Sequence, residues 1–172
     1  RSLTSSSETT RNTSFNLNAF NRHYLKMYGQ PAPDHNWLIW LIGFVEGDGA
    51  ILTSNGRQQF VLTQKEGAIL FHIKEILGFG SVKFYPSASG GYYRFIVSDK
   101  TSIITLGLLF NGNLVLPHRI SQLTLWRNIS GFEIITIPVI PTLTDPWLSG
   151  FADAEGCFNV TITPRSNTVT GY

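Results

Sequence analysis

Residues 37–45 form the most apolar stretch of the chain: Trp37, Leu38, Ile39, Trp40, Leu41, Ile42, Phe44 and Val45, interrupted only by Gly43. A helix that is apolar on every side belongs inside a core. Asp34 or Asn36 is placed to cap it and Gly47-Asp48-Gly49 to stop it, so a buried helix is expected over residues 37–47. The pattern then changes to alternation. Residues 50–53 and 58–64 read as strands joined at Asn55-Gly56, a hairpin signal. Residues 66–77 return to helical spacing, with Ala68, Ile69, Phe71, Ile73, Ile76 and Leu77 apolar and Gly78 as the stop. A second hairpin follows over residues 81–85 and 92–98. Ser98-Asp99 opens a helix over 100–110, and another helix is expected over about 117–129.

The flanks are weaker in signal. Residues 1–18 are mostly Ser, Thr and Asn, residues 17–28 suit a short helix, and Pro31 and Pro33 break the chain before residue 35. Residues 1–34 are therefore expected to form a flexible leader. Residues 133–143 read as a β-branched connector punctuated by Pro138 and Pro141. Then the opening pattern returns: Asp145-Pro146 starts a helix over 147–154, Gly156-Cys157 ends it, and 158–163 read as a strand. The chain divides into the leader, a first repeat at 35–130, a linker at 131–144, and the start of a second repeat at 145–172 that breaks off early. Mixed helices and hairpins in this order define an α+β class.

The two repeats share a motif. The first reads Leu41-Ile-Gly-Phe-Val-Glu-Gly-Asp-Gly49 and the second Leu148-Ser-Gly-Phe-Ala-Asp-Ala-Glu-Gly156. Gly43 and Gly47 lie on one helical face, as do Gly150 and Ala154, and small residues in a stripe let two helix backbones approach closely. Both helices end in an acid, Asp48 or Glu155, against the helix dipole. A local rule broken at the same place twice points to function. If the helices cross closely and run parallel, these carboxylates meet at one end of the seam. They then repel and raise each other's pKa unless a cation lies between them, and an oxygen-only, open ligand set suits Mg²⁺.

The duplicated sequence resembles the motif of the LAGLIDADG homing endonucleases. The resemblance implies αββαββα units that meet through these helices, each with an antiparallel, saddle-shaped sheet on DNA. It implies that Asp48 and Glu155 bind metal, that the carbonyls of Gly47 and Ala154 face the metal or its waters, and that Glu46 and Asp153 are less directly catalytic. Residues 60–65 resemble the family strand whose Gln approaches the attacking water, which here is Gln64. Residues 116–126 resemble the segment that places a basic residue near the scissile phosphate, and Arg119 aligns there. Lys is commoner at that position. An Arg cannot shuttle protons at neutral pH, so Arg119 is left with two readings, phosphate stabilisation and a surface salt bridge.

Composition adds little. The net charge is +2 with 42% hydrophobic residues, so charge alone does not propose nucleic acid. One cysteine excludes an internal disulfide, and the four histidines lack metal-ligand spacing. The longest apolar run is too short to span a membrane. Position matters more than total charge. Strand alternation puts Phe60 and Leu62, Val82 and Phe84, and Phe95 and Val97 on a core face. The other face carries Arg57, Gln59, Val61, Thr63, Ser81, Lys83, Tyr85, Tyr92 and Arg94, with Lys65 just beyond. These are side chains that read base edges and bind phosphates.

The expected activity is metal-dependent cleavage of double-stranded DNA, with a divalent cation as cofactor. The alternatives are an intron-encoded maturase that binds group I intron RNA and an inactive relic. A complete protein is expected to act as a monomer and a truncated one to dimerise. The resemblance implies a mitochondrial, intron-encoded origin.

Overall fold

The computed structural model describes residues 14–155. The strand expected at 158–163 lies outside them, as does Cys157. Helix α1 (Asn18–Tyr28) precedes α2 (His35–Asp48), and two hairpins follow: β1 (Gly49–Ser54) with β2 (Arg57–Gln64), then, after α3 (Ala68–Leu77), β3 (Ser81–Tyr85) with β4 (Tyr92–Val97). Helices α4 (Lys100–Phe110), α5 (Pro117–Thr124) and α6 (Arg127–Ser130) lead through an irregular connector to α7 (Trp147–Glu155). The four strands form one antiparallel sheet in the order β1-β2-β4-β3. The α+β class and the element order of one αββαββα unit are as expected.

Local chemistry explains the boundaries. Asp34 caps α2 by accepting from the Trp37 N–H at 2.9 Å, and Asp99 caps α4 by accepting from the Ser102 N–H at 2.9 Å. Asn55 and Gly56 take positive φ values of 50° and 73°, the backbone that a two-residue hairpin needs. Apart from half-buried Trp40, helix α2 is buried from Leu38 to Glu46, a charged residue included. Its apolar side chains join Ile51, Phe60, Leu62, Phe95, Leu106 and Phe110 in one core.

Three expectations change. Residues 14–34 are not a flexible leader, and residues 1–13 lie outside the described residues. Phe15, Leu17, Phe20 and Tyr24 are buried in the core, and α1 packs on α4. Buried Asn113 fixes this segment: its side chain accepts from the Asn16 N–H at 2.7 Å and donates to the Asn16 carbonyl at 2.9 Å. Phe20 and Tyr24, one turn apart on α1, and Phe15 and Leu17 just before it outweigh a polar composition. Second, the helix expected over 117–129 breaks between α5 and α6. The turn tightens there, with Trp126 N–H donating to Leu123 O, and Trp126 swings inward to donate its indole N–H to Leu52 O at 3.0 Å. Third, Phe84 is exposed although its register places it on the core face. It lies at the sheet edge with its ring against Tyr93 at 4.9 Å.

Candidate active site

Helices α2 and α7 touch through their backbones. A Cβ added to Gly43 would lie 2.0 Å from the Trp147 carbonyl oxygen, and one added to Gly150 would lie 1.9 Å from the Trp40 carbonyl oxygen. No side chain fits at either position, so the small-residue stripe is a steric requirement of this crossing. Further along, a Cβ on Gly47 would meet the Ala154 Cβ at 2.5 Å and would lie 3.6 Å from Glu155 Cγ. Contacts thus advance in the same direction on both helices, which run parallel and bring their C-terminal ends together. Asp48 and Glu155 are the last residues of those ends.

Asp48 is partly buried and accepts a hydrogen bond from the Gln64 side-chain amide. The strand register explains that contact: Gly49 faces Leu62 across β1 and β2, so the end of β2 runs beside the end of α2. Burial pushes the Asp48 carboxyl above the ordinary carboxylate range, and the Glu155 charge pushes the same way. The Gln64 bond and the Arg119 charge pull it back. Two carboxylates at a convergent pair of helix ends, one of them raised by the other's charge, suit a cation. Among the described residues no cluster of three or more His, Cys, Asp or Glu forms around them. One or two carboxylates, completed by water and phosphate oxygens, is the ligand set that Mg²⁺ accepts. Asp48 and Glu155 fit that requirement.

Arg119 is not on the surface. It is 9% exposed and donates to main-chain oxygens at the end of α2: Nε and Nη2 to Glu46 O, and Nη2 to Gly47 O, each at 3.1 Å, while Nη1 donates to Gln122. The surface salt bridge is thereby excluded, and most of its donors are committed to acceptors within the protein. An arginine there satisfies carbonyls that the helix leaves open and offsets acids that oppose the dipole. The Gly47 carbonyl, expected to face metal, is one of its acceptors.

Glu46 is the deepest acid among the described residues. It is 1% exposed and accepts from Val115 N–H, Leu116 N–H and the Trp147 indole N–H at 2.7–3.1 Å. Burial raises its carboxyl, and these donors pull it back. It ties α2 to the turn before α5 and to α7. Asp153 accepts from the Trp40 indole at 2.8 Å. Neither tryptophan was singled out from the sequence. The signal was present, because Trp precedes the shared Leu in both copies, Trp40 before Leu41 and Trp147 before Leu148.

On the sheet, register puts the expected binding residues on one face. Lys83 pairs with Arg94 and Arg94 with Thr63; Tyr85 pairs with Tyr92; Ser81 pairs with Ile96, which pairs with Val61. Gln59 faces Leu52 and Arg57 faces Ser54. Arg57, Thr63, Lys65 and Lys83 are exposed, whereas Gln59, Ser81, Tyr85, Tyr92 and Arg94 are half-buried. The Arg94 guanidinium lies over both tyrosines, 5.2 Å from the Tyr85 ring and 5.0 Å from the Tyr92 ring. A cleft of about 980 Å³ opens at the far end of the β1–β2 hairpin and includes neither Asp48 nor Glu155 in its lining. No helix among the described residues is long and apolar enough to cross a membrane.

An α+β unit with two acid-tipped helices in backbone contact defines a class before any comparison is made, and comparison agrees. The family model for the LAGLIDADG endonucleases matches residues 41–130, and the chain belongs to that family. It is 44% identical over 140 residues to the probable intron-encoded endonuclease 4 of Neurospora crassa, a match that spans 75% of this chain and 25% of that protein. It is 29% identical over 136 residues to the probable intron-encoded endonuclease aI2 of Debaryomyces hansenii, spanning 77% and 20% respectively. The chain thus spans a quarter or less of the length of these relatives. Among solved structures it resembles the LAGLIDADG meganuclease I-AabMI bound to uncleaved DNA, with a TM-score of 0.53 and 25% identity over 78% of this chain and 63% of that one. The meganuclease I-CpaMI bound to uncleaved DNA also gives 0.53, at 17% identity over 77% and 65%, a likeness of fold alone.

Proposed function

We propose that this chain contributes to a homing endonuclease that hydrolyses phosphodiesters of double-stranded DNA with a divalent cation, from a mitochondrial intron reading frame. In this reading residues 35–130 are one repeat and residues from 145 onward open a second. The observation that carries the proposal is the meeting of Asp48 and Glu155 at the parallel ends of two touching helices. Support for DNA as substrate comes from the polar outer face of the sheet and from the DNA-bound structures that the fold resembles.

Asp48 and Glu155 are the residues that would hold the cation, which when bound lowers the pKa of water and stabilises charge on a phosphoryl group. The protein's own groups do the rest. Gln64 donates its amide N–H to Asp48 and keeps its carbonyl oxygen for the attacking water. The water oxygen bonds to phosphorus as the water gives up a proton to solvent, the bond to the leaving oxygen breaks, and that oxygen takes a proton from solvent. Arg119 acts from beneath, fixing the end of α2 and contributing positive charge near three acids. That role replaces direct phosphate contact.

The test begins with DNA sites selected from a random library for binding. Replacing Asp48 by Asn is expected to reduce cleavage of such sites in Mg²⁺ by at least about a thousandfold, on the scale of a lost transition-state electrostatic contact. Binding should change less than about threefold. Cleavage at wild-type rate by Asp48→Asn would remove the assignment.

A further inference from the structure

We infer that Trp40 and Trp147 are paired positioning residues, each latching the opposite motif helix through its indole N–H and so setting how the ends bearing Asp48 and Glu155 face one another. The inference rests on the reading of those two acids as the cation site.

The same arrangement is built twice. Trp40 stacks on Phe44, ring centroids 5.2 Å apart, and donates across the seam to Asp153 at 2.8 Å. Trp147 stacks on Phe151 at 5.1 Å and donates across the seam to Glu46 at 2.7 Å. Trp40, Phe44 and Glu46 occupy the motif positions of Trp147, Phe151 and Asp153. Each helix therefore gives its indole N–H to the partner's acid and receives the partner's indole on its own.

An indole N–H donates and cannot accept, and it seeks a partner when removed from water. Stacking on the residue one turn later fixes the ring plane and leaves the N–H directed across the seam. The helices touch where Gly43 and Gly150 meet the opposite backbones. A seam of small residues brings smooth backbones together without interlocking side chains, and two bonds exchanged across it oppose rolling and sliding. The latched acids stand two residues before Asp48 and Glu155, so a roll of either helix moves its terminal carboxylate.

The two latches are unequal. Glu46 is buried and held by two further main-chain donors, whereas Asp153 is exposed. Hydrogen bonds to buried charged groups contribute more than exposed ones. The Trp147 latch is therefore the dominant one.

The substitutions Trp147→Phe and Trp40→Phe keep a stacked ring and remove only the N–H. Two measurements are made on the whole chain. The first is hydrogen exchange of the indole N–H signals by NMR, assigned with these variants: the Trp147 signal should exchange at least about tenfold more slowly than that of Trp40. The second is Ca²⁺ affinity by calorimetry on complexes with a selected DNA site. Trp147→Phe should weaken it about tenfold and Trp40→Phe about twofold or less, with DNA affinity unchanged within about twofold. A Trp147→Phe chain that melts lower but binds Ca²⁺ like wild type overturns the positioning role, leaving packing alone. Equal indole exchange overturns the ranking of the latches. A wild-type chain that binds no Ca²⁺ overturns the cation reading of Asp48 and Glu155 itself, a failure distinct from the other two.

Discussion

At the scale of single residues, Asp48 sits where its charge is disfavoured. Asp48 is held partly buried with Glu155 nearby, and both effects favour its protonated form. A carboxyl whose folded pKa exceeds its unfolded value contributes stability that is complete below the unfolded pKa and is lost as pH rises through the folded one. Metal-free protein should therefore lose stability as pH climbs out of the acid range, through and just above the ordinary carboxylate values. Asp48→Asn should flatten part of that slope. At neutral pH it should raise Tm by about 2–4 °C, the shift expected for about 1 kcal/mol in a chain of this size. Thermal melts in chelator between acid and neutral pH decide this, and a variant that melts lower at neutral pH contradicts it. The sequence showed where these acids are because the motif occurs twice. It hid the roles of Glu46 and Arg119, because nothing in a linear pattern tells that one is an internal acceptor for two main-chain N–H groups and the other a helix-end donor. Those roles depend on the turn before α5 folding back onto α2.

At the scale of elements, the α2–α7 seam organises the site. Replacing a glycine by alanine inside a helix ordinarily gains up to about 1 kcal/mol from propensity. At Gly43 the new Cβ would sit 2.0 Å from a main-chain oxygen that no rotamer change can move. Overpacking of that kind costs about 1–3 kcal/mol and sometimes more, so the sign reverses. Gly43→Ala should lower Tm and weaken cation affinity together, measured by melting and calorimetry. A Tm at or above wild type contradicts the crossing described. This contact was legible in sequence from the spacing of Gly43, Gly47, Gly150 and Ala154. The break between α5 and α6 was not: residues 117–129 read as one helix, and the tightened turn at Trp126, whose indole reaches Leu52 O across the fold, has no local signal.

At the scale of the whole molecule, one end of the sheet supplies Gln64 to the acids, and its outer face is the surface proposed for DNA. Most of that face was readable from period-two alternation. The error at Phe84 arose because alternation assigns a face without saying how far a cover extends. Residues 14–34 differ from expectation because a few apolar positions dock α1 within an otherwise polar stretch. Lys83 is exposed on the outer face opposite Arg94. Lys83→Ala should weaken DNA binding similarly across sequences and reduce the salt dependence of log affinity by about one unit of slope. An unchanged slope would place DNA elsewhere. The central claim, that Asp48 and Glu155 hold one divalent cation between them, is tested most directly by placing Fe²⁺ in the DNA complex and starting local oxidative scission with peroxide and ascorbate. The cut sites in the protein are then mapped by mass spectrometry. The account predicts cuts around both residue 48 and residue 155, suppressed by excess Mg²⁺ and lost in Asp48→Asn. Cuts confined to another region, or cuts at both positions that persist in Asp48→Asn, would contradict it.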